Sequence, residues 1–297
     1  MIRKRTFLYL ALLSLCGLVS LTLLAGLVGF NWLSVVPRPQ PKPAKQALFQ
    51  GVQYTRSIRN SPRQMVIHVV TIDLRSEGLR LLVTPGDPKA DLSLSARTTS
   101  KFLNDFNAQL AINGDGFTPW HSNNLLDYYP RTGDPVEPIG YAASEGKAYS
   151  ENLENQPVLY ISRTNQARFG SPSGRVYNAI SGNAMLVQNG GIAAGLESDP
   201  EPRTAIGLDK RGRKLILVVV DGRQPTYSQG ATLEELAQIL IDAGVYTGMN
   251  LDGGGSTTLV VEKGGRADVL NSPINHGVPG LERPVGNHLG IFASPLE

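Results

Sequence analysis

The chain has one cysteine in 297 residues, Cys16, and it lies inside an N-terminal apolar run. The remainder therefore has no thiol from which to build a disulfide or a thiolate metal site. Negative charge is missing from the same region: no Asp or Glu precedes position 47, whereas six of the 28 basic residues do. The formal charge of +3 thus conceals a body with 22 basic and 25 acidic residues, a net of 22 − 25 = −3. A mildly acidic body argues against a nucleic-acid partner. Internal repeats are absent as well, which excludes solenoids and propellers.

What is present begins with Phe7 to Val36, a run without charge, broken only by Ser14, Ser20, Thr22, Asn31 and Ser34. It is long enough to cross a bilayer. With Arg3, Lys4 and Arg5 in front of it, the positive-inside bias keeps the N-terminus cytoplasmic and exports the body. The expectation is an uncleaved transmembrane anchor over residues 1–36, with the body in the periplasm or at the cell surface. The alternative is a cleaved signal peptide and a secreted body. Residues 37–46, with proline at 37, 39, 41 and 43, read as an extended spacer.

From residue 47 to 297 the pattern predicts a mixed, strand-rich α+β domain with few helices. Strands are expected over 52–58, 64–73, 79–84 and 110–112, then over 177–182, 185–187, 215–220 and 288–292. Thr98 to Phe106 reads as a short capped helix, and Thr232-Leu233-Glu234-Glu235 as a capping box opening a second. Residues 203–208 and 215–220 flank a Lys210-Arg211-Gly212 turn and are expected to pair as a hairpin, which would put Arg203 and Asp221 at one end of a sheet. His68 reads as a partnered strand residue. The stretch 118–171 reads as irregular; with Trp120, His121, Tyr128 and Tyr129 it is either a lid or sugar-stacking rim, or a surface insertion.

The chemistry concentrates where strands stop. Asn250-Leu251-Asp252-Gly253-Gly254-Gly255-Ser256-Thr257 sets a carboxylate against three consecutive glycines, whose permissive backbone can turn N–H groups into one anion-holding concavity. Asn113-Gly114-Asp115-Gly116-Phe117 repeats the theme of a glycine-flanked carboxylate after an apolar strand, and so does Asp221-Gly222-Arg223.

Taken in order with Arg203-Thr204-Ala205-Ile206-Gly207 and Glu282-Arg283-Pro284-Val285, these stretches resemble the phosphodiester glycosidase family, the block from Leu251 to Ser256 being the most specific. The resemblance implies an extracytoplasmic hydrolase that cuts between a sugar's anomeric carbon and a phosphodiester oxygen, here on an envelope glycan or sugar-phosphate polymer. It implies Asp252 as central carboxylate with Asp115 and Asp221 as further catalytic candidates. Substrate binding falls to Asn113, Gly114, Phe117, Arg203, Arg223, Gly253, Gly254, Gly255, Ser256, Thr257 and Arg283. Within that set Arg203, then Arg283, grips the phosphate, and Asn113 and Asp115 orient sugar hydroxyls or water. No cofactor is required by these residues. Two rival readings stand beside this one: Ca²⁺ or Mg²⁺ held by Asp115, Asp221 and Asp252, and a non-catalytic module that binds anionic glycan.

Overall fold

The longest apolar run of the body, from Leu215 to Val220, alternates between two cores. Leu215, Leu217 and Val219 face one cluster of buried side chains, and Ile216, Val218 and Val220 face another. A strand covered on both faces has no reason to alternate with polar residues, which is why this one is continuously apolar. In the computed structural model, which describes residues 38–124, 126–151, 155–172, 174–196 and 198–296, that strand is Lys214–Val220, in the middle of an eight-stranded sheet. Its neighbours are Met65–Asp73 on one side and Arg203–Leu208 on the other, the latter through the expected hairpin with Arg203 opposite Val220.

A five-stranded sheet, in the order Arg266–Val269, Leu259–Lys263, Leu110–Asn113, His288–Phe292 and Arg80–Val83, packs against the first. Their shared core joins Val52, Tyr54, Val70, Leu217 and Met249 from one sheet to Leu81, Leu110, Ile112, Leu259 and Leu289 from the other. Helix α1, Thr99–Phe106, covers the outer face of the five-stranded sheet through Phe102 and Leu103, which pack with Leu82, Ala111 and Val260. Helix α2, Leu233–Asp242, covers the outer face of the larger sheet through Leu236, Ala237, Ile239 and Leu240. The result is four layers: helix, sheet, sheet, helix.

Both helices start as the sequence predicts. The Thr98 hydroxyl accepts from the Lys101 amide at 3.2 Å, and Thr232 and Glu235 form a reciprocal capping box. The α+β, strand-rich character holds, but the pairings within these sheets are antiparallel rather than mixed. The stretch 118–171 is not irregular throughout: residues 142–169 form strands that join the one expected over 177–182, found at Asn178–Ser181. Together they make a five-stranded sheet, Lys147–Ser150, Ala142–Ser144, Asn178–Ser181, Val158–Ile161 and Ala167–Phe169; the other four are too short and too varied to give a clear period. The first strand, Ala44–Phe49, begins inside the stretch expected to be spacer. The anchor expected over residues 1–36 lies outside the described residues; among those described, no helix is long and apolar enough to cross a membrane.

Candidate active site

The ends of three strands from the two facing sheets, Thr247–Asn250, Arg203–Leu208 and Leu110–Asn113, meet at one place, and backbone stitches hold them there. Leu251 donates its N–H to Thr204 O at 2.9 Å, Asp252 to Gly114 O at 3.0 Å, and Gly254 to Pro202 O at 2.8 Å. The bend from Asp252 to Ser256 is thereby fastened both to the exit of Leu110–Asn113 and to the entrance of Arg203–Leu208.

Asn113 is the brace of this junction. Its side-chain oxygen accepts from the Thr204 hydroxyl at 2.8 Å and the Thr258 amide at 3.1 Å, while its amide nitrogen donates to Asp252 O at 2.6 Å. The residue is fully buried. An amide so engaged orients the chain, not a sugar hydroxyl, and the sequence expectation is corrected on that point. Gly114 is likewise a packing position: a β-carbon there would lie 2.9 Å from the Asn287 backbone. Phe117 turns inward to pack with Leu94, Val136 and Val285, so it supports the site from below rather than meeting a ligand.

Asp221 is also misplaced by the sequence expectation. Its carboxylate is fully buried and faces His68 Nε2 at 3.1 Å, the Asn271 side-chain amide at 3.1 Å and the Ser272 N–H at 2.7 Å. His68 in turn meets the Tyr54 hydroxyl at 2.8 Å. Both oxygens are thus committed within a buried polar chain, as buried charges generally are. Asp221 does arrive at the same sheet end as Arg203, but its carboxylate is spent holding residues 271–272.

The two remaining carboxylates interact. Asp115 is buried, and that burial raises its pKa from the usual carboxylate range to about 7. The neighbouring Asp252 charge pushes in the same direction, while the Asn287 amide and the Ser181 N–H oppose it. One oxygen accepts from Ser181 N at 3.3 Å and the other has no hydrogen-bond partner. Asp252 keeps part of its surface open at the bend, yet protein surrounds its carboxylate closely enough that desolvation raises its pKa too. The Ser256 hydroxyl, the Arg283 charge and the Gly253 amide pull it back toward the ionised form.

Two guanidinium groups, of Arg223 and Arg283, border the bend where the glycines make room for them, and the Arg203 charge lies near that of Arg223. A β-carbon on Gly255 would collide with the Arg283 guanidinium, and one on Gly254 would lie 3.0 Å from an Arg223 terminal nitrogen. Gly253 rests on Pro202 and Arg203. Gly254 alone in the bend has a positive φ, 59°, which glycine adopts without strain. Each arginine is tethered through Nε: Arg203 to Ala231 O at 3.0 Å, Arg223 to the Glu201 carboxylate, and Arg283 to Asn275 Oδ1 at 3.1 Å. Arg203 is held a second time, through a terminal nitrogen to Asp199 O at 2.8 Å. Burial lowers the pKa of Arg203 and of Arg283, and the Arg223 charge lowers both further. Mutual repulsion of this kind is relieved by an anion.

Of the three glycine N–H groups expected to cradle an anion, that of Gly254 is committed to Pro202 O and that of Gly253 supports the Asp252 carboxylate. The amides of Gly254, Ser256 and Thr257 donate to Pro202, Gly253 and Gly254 carbonyls. Thr257 is buried, its hydroxyl without a hydrogen-bond partner. Among the described residues no group of three His, Cys, Asp or Glu is placed to hold a metal ion. The calcium or magnesium reading loses its third carboxylate with Asp221.

Sequence reasoning missed Asn287, whose side-chain amide lies against both Asp115 and the buried Tyr149 hydroxyl. It also missed Asn275, which holds Arg283. Neither carries a local signal; each acts through a partner distant in the chain.

A partly exposed glycine bend bordered by arginines and by two interacting carboxylates suits a protein that receives an anionic group and acts beside it. The phosphodiester glycosidase family model matches residues 106–292, more than half of the chain, and the chain belongs to that family. Among curated proteins it is 37% identical over 100 residues to bovine N-acetylglucosamine-1-phosphodiester alpha-N-acetylglucosaminidase, a match over 28% of this chain and 18% of that protein. To the human protein of the same name it is 46% identical over 59 residues, 20% of this chain and 11% of the other. The chain thus matches less than a fifth of the length of these relatives. Two solved structures share the fold. A hypothetical protein from Synechocystis superposes with a TM-score of 0.62 at 18% identity, covering 85% of this chain and 64% of the other. The zebrafish N-acetylglucosamine-1-phosphodiester alpha-N-acetylglucosaminidase catalytic domain, auto-inhibited by its pro-peptide, gives 0.57 at 21% identity, covering 88% and 92%.

Proposed function

We propose that the protein is a hydrolase that breaks the bond between a sugar's anomeric carbon and a phosphodiester oxygen. The observation that carries this reading is the pairing of two interacting carboxylates, Asp115 and Asp252, with arginines bordering one glycine bend. Arg203, Arg223 and Arg283 supply the planar, multidentate donors that a phosphodiester monoanion requires. Departure of the phosphate leaves positive charge on the anomeric carbon, which a carboxylate stabilises or attacks.

The two environments divide the roles. Asp252, whose pKa desolvation raises while the Ser256 hydroxyl and the Arg283 charge oppose that rise, faces the anomeric carbon. Asp115, with its pKa raised to about 7, carries the proton. In the overall balance the carbon–oxygen pair leaves on the phosphate, water adds its hydroxyl to the anomeric carbon, and the water proton passes to the pair. The products are a free sugar and a phosphomonoester. We further propose that the body, residues 47–297, works outside the cytoplasm behind the apolar segment at 1–36 and the 37–46 spacer, on an envelope glycan or sugar-phosphate polymer.

The test is an assay of the full chain on a synthetic sugar-1-phosphodiester, with and without chelator. Release of sugar that a chelator does not change supports the reading. Release lost with chelator and restored by a divalent cation would move the chemistry to a metal; binding without release would leave a glycan-binding module.

A further inference from the structure

Beside these arginines stands a hairpin that the proposed reaction does not use. Its strands, His121–Ser122 and Tyr128–Tyr129, pair with His121 opposite Tyr129, and Trp120 leads into it. The Trp120 ring centre lies 5.2 Å from the Arg283 guanidinium carbon, and half of the residue, 50%, is still exposed. A large indole left open to water beside a half-buried cation is costly unless something covers it.

One segment fixes both partners. Asn275 holds Arg283 Nε at 3.1 Å. The next residue, His276, meets the hairpin through Ser122 Oγ at 3.2 Å and through the Tyr128 ring at 4.7 Å between centres. The His276 pKa is pushed down by burial and by the Arg283 charge, which places the imidazole within reach of that guanidinium. Indole and guanidinium are therefore set relative to one another before any ligand arrives, a condition for reading shape at low entropic cost.

We infer that Trp120 is a specificity-determining platform: it receives a ring attached to the phosphate on the side away from the cleaved sugar, and so selects ring-bearing over acyclic phosphodiesters. The inference rests on the proposed hydrolase reading for the position of the phosphate. With the anomeric carbon at Asp252 and the phosphate on Arg283, the other ester oxygen leads past the guanidinium to the indole. The apolar face of a pyranose stacks there, and a glyceryl chain offers no such face.

The experiment uses the full chain in detergent and two non-hydrolysable sugar-1-phosphonate esters, one bearing a pyranosyl group and one a glyceryl group, titrated calorimetrically. The native protein is expected to bind the pyranosyl ligand about tenfold more tightly. W120A brings the ratio near one, and W120F restores most of it. Equal affinities in the native protein, or a ratio that survives W120A, overturn the inference. A fall in both affinities with the ratio unchanged also overturns it, by assigning Trp120 to the support of Arg283 alone. Hydrolysis is read separately: a native protein that shows the preference but leaves a hydrolysable diester intact refutes the hydrolase reading and not the platform. Absence of binding by either ligand refutes both.

Discussion

At the scale of single residues, three aspartates that look alike in sequence fall into three environments, and their substitutions should separate. Asp252→Asn removes the carboxylate proposed to face the anomeric carbon and is expected to lower turnover about a thousandfold or more with the fold intact. Arg203→Ala should cost about a hundredfold in the same assay, with the thermal midpoint little changed. Asp221→Asn acts elsewhere. It breaks a buried pair with His68 and is expected to cost roughly 3–5 kcal/mol in a denaturant titration, activity falling only as folded protein is lost.

Asp115 gives a signed pH prediction. A carboxyl whose pKa is higher in the folded than in the unfolded chain contributes stability that is present below the unfolded value and lost as pH rises through the folded one. Between the ordinary carboxyl value of 3.8 and about 7, folding therefore loses stability on the order of a few kcal/mol. Asp115→Asn should melt above the native protein at pH about 8, and the gap should close toward pH about 4. Such a cost in the folded state is what an active-site proton carrier incurs.

At the scale of elements, the glycine bend and the strand ends carry the argument. Gly255→Ala puts a β-carbon where the Arg283 guanidinium lies. The end of a flexible side chain can move, so turnover should drop by about a hundredfold while stability changes by less than about 1 kcal/mol. Gly114→Ala meets the Asn287 backbone at 2.9 Å, which cannot give way. There the expected loss is stability, about 1–3 kcal/mol by chemical denaturation.

Much of this scale was legible in the sequence. The hairpin through Lys210 to Gly212 and the capping box at Thr232 follow from local pattern, whereas the grouping of residues near 115, 203, 221 and 252 into one site comes from the family resemblance. What was not legible depends on partners far along the chain. Asp221 is enclosed by His68, 153 positions away, and by Asn271, 50 positions away. The glycines read as an anion cradle because nothing local says that arginines from residues 223 and 283 will occupy the space they leave. Four of the five strands of the sheet within 142–181 escaped because each is three or four residues long and flanked by turns.

At the scale of the whole molecule, two facing sheets deliver strand ends from both halves of the core to the glycine bend, and helices cover the outer faces. The site lies where the layers meet, so its parts are placed by a large common core rather than by loops alone. The residues from Pro39 onward form one compact unit. A chain beginning at Pro39 is accordingly expected to fold in one cooperative thermal transition and to retain turnover. The full chain, with the uncharged run from Phe7 to Val36, should instead sediment with membranes and need detergent for release.

The central claim concerns which bond is broken, and isotopic oxygen reads it directly. Hydrolysis of a sugar-1-phosphodiester by the native protein in heavy-oxygen water should place the label on the anomeric hydroxyl of the released sugar, and none on the phosphomonoester. Label on the phosphate would mean attack at phosphorus, and the roles assigned to Asp115 and Asp252 would be contradicted.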